Sequence, residues 1–316
     1  MKVLANDGIA QSGVTELESA GFEVILTTVA QNQLVDYINT HSITVLLVRS
    51  ATKVRTDIID GCPSLKIIGR GGVGMDNIDV EYARSKGLKV INTPAASSHS
   101  VAELVFAHMY GMARYLHNSN RDMPLEGDTN FKGLKKAFAK GVELKGKTLG
   151  ILGIGRIGQA TAKIALGAGM KVIAFDPFIK NVNLELEFFD GQTVEFDIDT
   201  ISKENVLKQA DFLTLHVPSQ EEYVIDTAEF DLMKKGVIMV NAARGGVVNE
   251  VALVKALEEG KVAQAALDVF EKEPTPEMQL LMNPNLSLSP HIGAATGEAQ
   301  DRIGSELAEQ IITILN

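Results

Sequence analysis

The stretch Thr148-Leu-Gly-Ile-Leu-Gly-Ile-Gly-Arg-Ile-Gly158 constrains the fold of this chain more than any other. It opens as an apolar run, Thr148 to Leu152, with the character of a buried strand. It breaks at Gly153-Ile154-Gly155-Arg156-Ile157-Gly158, which fits G-x-G-x-x-G. A helical pattern follows through Ala160, Ile164, Ala165 and Ala168 and closes at Gly169. A second apolar run, Lys171 to Phe175, ends on Asp176. Strand, glycine turn, helix, strand and acidic residue, the last about 20 residues after the first glycine, is the order of a dinucleotide-binding unit.

Each residue type has a physical task there. Gly153 allows the tight turn, Gly155 lets a pyrophosphate approach the backbone, and Gly158 lets the helix pack closely on the strand. The helix N-terminus offers free N–H groups and a partial positive charge to the phosphates. A carboxylate at Asp176 can accept from both ribose hydroxyls and repels a 2′-phosphate, so the pattern reads NAD rather than NADP. The plainer alternative is that Asp176 caps a turn before Pro177.

At 316 residues the chain is long enough for two domains, each with its own core. It is 45% hydrophobic and 22% charged, an ordinary globular composition. A net charge of −10 with no basic cluster argues against nucleic acid as a partner. A single cysteine, Cys62, excludes an intrachain disulfide and fits a reducing compartment. The N-terminus turns polar too soon for a signal peptide, and no apolar run approaches the ~20 residues of a membrane span. A cytoplasmic protein without membrane contact or metal is expected.

Residues 1–97 alternate apolar runs (Lys2–Ala5, Glu23–Leu26, Val45–Val48, Lys66–Ile68, Lys89–Asn92) with helical patterns (Ser12–Ala20, Gln31–His41, Asp57–Cys62, Val80–Lys86). That alternation predicts a parallel sheet covered on both faces. Val101, Leu104, Val105, His108, Met109, Met112 and Leu116 then predict one long helix over 98–118. The polar, basic segment 118–143 reads as a surface connection. After Asp176, the acidic stretch 179–201 reads as a hairpin insertion or a loop. Strands resume at Phe212–Val217, Val237–Asn241, Gln264–Asp268 and Leu286–Ser289, separated by helices, and a last helix, Ala299–Leu315, is expected to pack back on the first domain. Ligand is expected in a cleft between the domains, at the carboxyl ends of the strands.

Three residues follow strands of the second array: Arg244 after Val237–Asn241, Glu273 after Leu267–Phe270, and His291 after Leu286–Pro290. Hydride transfer to a 2-keto acid needs a guanidinium to hold the carboxylate and polarise the carbonyl. It needs an acid near neutrality to protonate the alkoxide, and a carboxylate that orients an imidazole in its protonated form. Arg244, His291 and Glu273 meet these needs in turn, although spacing alone leaves Glu271 open beside Glu273. The remaining histidines, at 41, 99, 108, 117 and 216, read as structural; His216, before Pro218, lines the cleft without acting. In the first domain, Arg49-Ser50 and Arg70-Gly71-Gly72-Val73-Gly74 follow strands and offer cations and exposed backbone N–H groups to an anionic substrate.

At this point the residues carry a family. The chain resembles the D-isomer-specific 2-hydroxyacid dehydrogenases, and within them the phosphoglycerate dehydrogenases. The likeness rests on Val48-Arg-Ser-Ala-Thr-Lys-Val54, Gly69-Arg-Gly-Gly-Val-Gly-Met-Asp-Asn-Ile-Asp79, Val90-Ile-Asn-Thr-Pro94, the glycine motif, Asn241-Ala-Ala-Arg-Gly-Gly246, Ala266-Leu-Asp-Val-Phe-Glu-Lys-Glu-Pro274 and Ser289-Pro-His-Ile-Gly-Ala294. It implies two doubly wound parallel-sheet domains: a Rossmann NAD-binding domain at 98–291, inserted in a flavodoxin-like substrate domain made of 1–97 and 292–316.

It further implies that Arg244 binds substrate, that Glu273 rather than Glu271 pairs with the histidine, and that His291 is the acid–base. It puts Arg156, Ile157, Asp176, Val217, Ala242, Asp268 and Gly293 around NAD, with Val73 at the nicotinamide end; His216, Pro218, Ala243 and Ala294 belong to the same set. The activity implied is oxidation of 3-phospho-D-glycerate to 3-phosphohydroxypyruvate in serine biosynthesis, by a homodimer joined through the helix after Ser98 and the stretch Phe131–Leu144. Alternatives are a glyoxylate or hydroxypyruvate reductase, another D-2-hydroxyacid dehydrogenase, and an NADH-sensing corepressor. Two stretches depart from the family: Ala96-Ser-Ser-His99, where many relatives carry an asparagine, and 179–201. The chain stops at Asn316, so the C-terminal regulatory domain of many relatives is expected to be absent.

Overall fold

The computed structural model describes residues 1–315. They form two compact units, one made of Met1–Ser100 and the segment from Ala294 onward, the other of Val101–Gly293.

The first unit holds strands β1 (Lys2–Ala5), β2 (Glu23–Ile25), β3 (Val45–Val48), β4 (Ile67–Arg70) and β5 (Lys89–Asn92). All pair in parallel, in the order β2-β1-β3-β4-β5. This is the flavodoxin-like doubly wound order. All four residues of β3 are buried, as a central strand covered on both faces requires. The last helix, Gly297–Leu315, packs on the helix Gln11–Ser19, and Ile303, Leu307 and Ile311 share a core with Val3, Leu17 and Leu47. The two helices meet at glycines: a Cβ on Gly13 would lie 2.6 Å from the Gly304 carbonyl oxygen.

The second unit contains β6 (Thr148–Leu152), β7 (Lys171–Phe175), β8 (Asn181–Glu187), β9 (Thr193–Asp199), β10 (Phe212–Leu215), β11 (Val237–Asn241), β12 (Val262–Leu267) and β13 (Leu286–Leu288). Its main sheet is parallel, in the order β13-β12-β11-β10-β6-β7. Beyond β7, where a Rossmann sheet carries a further strand, only Thr200 pairs with Ala174 as a single parallel bridge. The antiparallel hairpin β8–β9 stands in the connection. The stretch 179–201 is therefore a hairpin rather than a loop. Val182, Leu184 and Ile198 turn inward from it into a core cluster that also holds Val105, Met109 and Leu144, while most alternate positions face solvent.

Two readings need correction. The helix from Ser98 ends at Ala113 instead of running to 118, because Tyr115 adopts φ 52° and sets its ring against Phe138. The segment 118–143 is not a bare connection: it carries helices Leu116–Glu126 and Phe131–Ala137. The first of these buries no residue, so no apolar periodicity marked it. Among the described residues no helix is long and apolar enough to cross a membrane.

Candidate active site

The glycine turn is built as its sequence requires. Gly153 has φ 92°, and a Cβ there would meet the His216 carbonyl oxygen at 2.5 Å and Val217 at 3.2 Å. The loop after β10, which continues into Pro218, thus crosses directly over it. At Gly158 a Cβ would strike the Gly153 carbonyl oxygen at 2.2 Å. Gly155 differs: a Cβ would meet nothing within 4 Å. It caps the helix Arg156–Gly167, whose N-terminus receives no side-chain hydrogen bond. A helix N-terminus with uncapped N–H groups and an open approach fits a pyrophosphate. Arg156 is exposed at this end, and Ile157 turns into the core.

Asp176 is 9% exposed. Its Oδ2 accepts the Ile154 N–H at 3.0 Å, and its Oδ1 accepts the N–H groups of Phe178 and Ile179 at 2.9 and 3.1 Å. The residue does cap the turn at Pro177, and it also ties that turn to the glycine loop. A carboxylate has about four acceptor sites, so room remains for a ribose hydroxyl. His216 turns its ring to the hydroxyls of Thr161 and Thr214, both at 3.2 Å, and burial pushes its imidazole far below the usual value.

Three loops at the carboxyl ends of β11, β12 and β13 carry the strand-end residues. After β11, buried Asn241 donates to the Arg244 carbonyl at 3.0 Å and accepts the Ala243 N–H at 3.1 Å. This latch, absent from the sequence reading, folds the turn that presents Arg244. The side chains of Ala242 and Ala243 are buried, and the Arg244 guanidinium donates to the Ala243 carbonyl at 2.6 Å. Gly245 packs so tightly on the next loop that a Cβ would fall 1.8 Å from the Phe270 carbonyl oxygen.

After β12, Glu273 Oε1 accepts the Phe270 N–H at 3.0 Å, and Oε2 lies 2.9 Å from His291 Nδ1. Glu271 instead exchanges backbone-to-carboxylate bonds with Glu250, at 3.1 and 2.8 Å. The structure therefore separates the two glutamates that spacing could not. Burial disfavours the charge on Glu273. The hydrogen bonds from His291 and the Phe270 N–H, with the fields of His291 and Arg244, outweigh it and hold the carboxyl below the usual range. After β13, His291 sits at φ 57°. Asp268, fully buried, accepts the N–H groups of Ile292 and Gly293 at 2.8 and 2.9 Å. It is thus a backbone clamp, whatever else it touches.

In the first unit, Asp7 accepts the N–H groups of Arg49 and Thr52 at 2.6 and 3.1 Å and the Thr52 hydroxyl at 2.6 Å. Asn77 donates to the carbonyls of Arg49 and Thr52 at 2.8 and 2.6 Å. The Arg49–Ser50 turn is thereby fixed from both sides. Arg70 bends back over its own loop: a Cβ on Gly72 would lie 1.6 Å from its Nη1. Asn92 holds the Val73 carbonyl at 2.7 Å, just ahead of Gly74. Gly71 approaches Ile303, and Ala294 accepts a hydrogen bond from Gln300 at 2.7 Å.

Residues 106–293 match the model of the D-isomer specific 2-hydroxyacid dehydrogenase NAD binding domain. The chain belongs to this family. The uncapped glycine turn and Asp176 accordingly lie in an NAD-binding domain. The whole chain is 43% identical to the D-3-phosphoglycerate dehydrogenase of Methanocaldococcus jannaschii but spans 57% of that protein's length. Over 84% of the chain it is 49% identical to the hydroxypyruvate reductase of Thermotoga maritima, covering 83% of that protein. Among solved structures it resembles the TT0316 protein of Thermus thermophilus, with a TM-score of 0.85 and 30% identity over the full chain and 97% of that protein.

Proposed function

We propose that the protein is an NAD-dependent D-2-hydroxyacid dehydrogenase acting on a small phosphorylated acid, the 3-phospho-D-glycerate/3-phosphohydroxypyruvate pair. The observation that carries the chemistry is the 2.9 Å contact between His291 and Glu273, beside the Arg244 turn. Arg244 holds the substrate carboxylate and polarises the keto group. In reduction His291 gives its proton to the alkoxide, and in oxidation it takes one from the hydroxyl. Glu273 keeps the imidazole oriented through its contact with Nδ1. NAD, when bound, accepts or returns the hydride. The residues that would hold it are Gly153–Gly158, Asp176, His216–Pro218, Ala242–Arg244, Asp268 and His291–Ala294, with Val73 at the reacting end.

The phosphorylated substrate is supported by the 43% identity to a phosphoglycerate dehydrogenase over the whole chain. The fixed turn carrying Arg49 and Ser50 and the loop Arg70–Gly74 are the groups to bind its anionic ends. Tyr110, Leu116, Leu125, Phe131 and Val142 are exposed apolar side chains on the helix after Ser98 and the segment that follows it, and their exposure supports a homodimer interface there. NADH oxidation with phosphohydroxypyruvate, hydroxypyruvate, glyoxylate and pyruvate tests the substrate. Preference for the phosphorylated acid is expected, and Arg49→Ala should raise its KM while leaving that of hydroxypyruvate unchanged. Equal use of hydroxypyruvate would favour the second reading, a hydroxypyruvate reductase, which the 49% identity to the Thermotoga maritima enzyme supports.

A further inference from the structure

A buried polar chain runs behind the His291 loop. His108, on the helix Ser98–Ala113, is 8% exposed. Its Nδ1 lies 2.9 Å from the Ser287 hydroxyl and its Nε2 3.0 Å from the Ser289 hydroxyl. Ser289 donates its hydroxyl to Asp268 Oδ1 at 2.6 Å. That oxygen also accepts the Ile292 N–H, and Oδ2 accepts the Gly293 N–H. These are the two backbone groups that follow His291 in the chain.

The protons in this chain can be ordered by counting. A serine hydroxyl has one proton. That of Ser289 is committed to Asp268, so its oxygen accepts from His108 Nε2–H. Burial holds the His108 imidazole below its usual value; the field of Asp268 opposes this and that of His117 adds to it. Burial favours the neutral ring, and in that form, with Nε2 protonated, Nδ1 is the acceptor for the Ser287 hydroxyl. Every link is satisfied in one direction only.

Two features argue that this network does more than fill space. The surrounding helix face is apolar, with Val101, Val105, Met109 and Met112 in the core. A buried imidazole there costs desolvation that a leucine would avoid. His291, on the other side, occupies the left-handed region at φ 57°, a strain of about 1–3 kcal/mol that persists only where surrounding bonds over-determine the backbone. The Asp268 clamp supplies those bonds. We propose that His108 is a positioning residue. Through Ser289 it holds Asp268 in the orientation that fixes the N–H groups of Ile292 and Gly293, and so keeps the His291 ring on Glu273. This rests on His291 being the acid–base of the proposed reaction.

The test compares His108→Leu, which deletes the donor to Ser289, with His108→Gln, which keeps one, and Ser289→Ala, which cuts the chain one link later. Full-length protein with 13C-labelled histidine has six ring signals to follow. The expected result for His108→Leu and Ser289→Ala is a loss of about tenfold in kcat, since a misplacement near 1 Å costs up to about 100-fold. KM for the keto acid should stay nearly constant, and the His291 ring signal should move away from its wild-type chemical shift. His108→Gln should recover most of kcat and the wild-type shift. A wild-type kcat and an unmoved His291 signal in the leucine and alanine variants would overturn the proposal. So would a glutamine variant as impaired as the leucine one. If the wild-type protein reduces no 2-keto acid, the functional reading fails; the position of the His291 signal still decides the positioning role.

Discussion

Glu273→Gln isolates the charge in the His291 pair. Glutamine keeps the volume, and its amide oxygen can still accept the Phe270 N–H that Oε1 accepts at 3.0 Å. What disappears is the anionic partner 2.9 Å from His291 Nδ1. A hydrogen bond to a charged group contributes about 1.5–3 kcal/mol. Here the two side chains are 40% and 36% exposed, so solvent screening places the value near the low end, about 1.5 kcal/mol. The bond matters most when the imidazole is protonated, which is the state that donates to the alkoxide. Its loss should therefore lower kcat/KM for keto-acid reduction by about tenfold. The assay is the pH dependence of kcat/KM, with NADH binding by fluorescence measured alongside. The variant should bind NADH as the wild type does and lose activity throughout the profile. A variant within about twofold of wild type across the profile would refute the claim that the carboxylate charge supports His291.

Three further outcomes follow from the same geometry. Arg244→Ala should cost at least about 100-fold in turnover, and Arg244→Lys should recover little, because the bidentate fork is lost; a lysine variant near wild type would show that charge alone suffices. Gly153→Ala combines φ 92° with a Cβ 2.5 Å from the His216 carbonyl. It should lower stability by about 2 kcal/mol or more, read by thermal melting, and weaken NADH binding; an unshifted melting temperature would show that the turn can move. Burial lowers the values of His108, His117 and His216 from the ordinary 6.5. The unfolded chain then takes up protons that the folded state refuses, so stability should be full above pH ~7 and fall as pH drops through ~6.5. Urea midpoints at pH 7.5 and 5.5 read the loss (both pH values chosen around the ordinary imidazole value), and coincident midpoints would contradict it.

Much of this architecture was legible because parallel strands buried on both faces are continuous apolar runs. Val45–Val48 and Val237–Asn241 stand out as such, and their observed bounds agree with the reading. The glycine turn was legible for a similar reason: each of its three glycines answers a local steric demand. Elements that do not bury a full face left no such trace. The helix Leu116–Glu126 buries nothing, and the helix end at Ala113 depends on the ring of Tyr115 reaching Phe138. In the candidate site, the strand ends marked Arg244 and His291 as candidates, but only resemblance chose Glu273, since Glu271 sits at nearly the same spacing. In the structure Glu273 meets His291, while Glu250 engages Glu271. The support beneath the site was the least readable part. His108 meets Ser287 and Ser289 from 179 and 181 residues away, and no local pattern encodes that meeting.

The hairpin β8–β9 leaves and re-enters the fold at almost one point. Thr200 N–H bonds to the Lys180 carbonyl at 2.9 Å, and its hydroxyl reaches the Ile179 carbonyl at 2.9 Å. An excursion whose two feet touch can change length without moving its anchors. The exposed tip is thus a natural graft site: the turn between Glu187 and Thr193 can be exchanged for a peptide tag or a reporter domain while Val182, Leu184 and Ile198 stay in the core. Asp176 on one side and the helix Lys203–Gln209 on the other would keep their places.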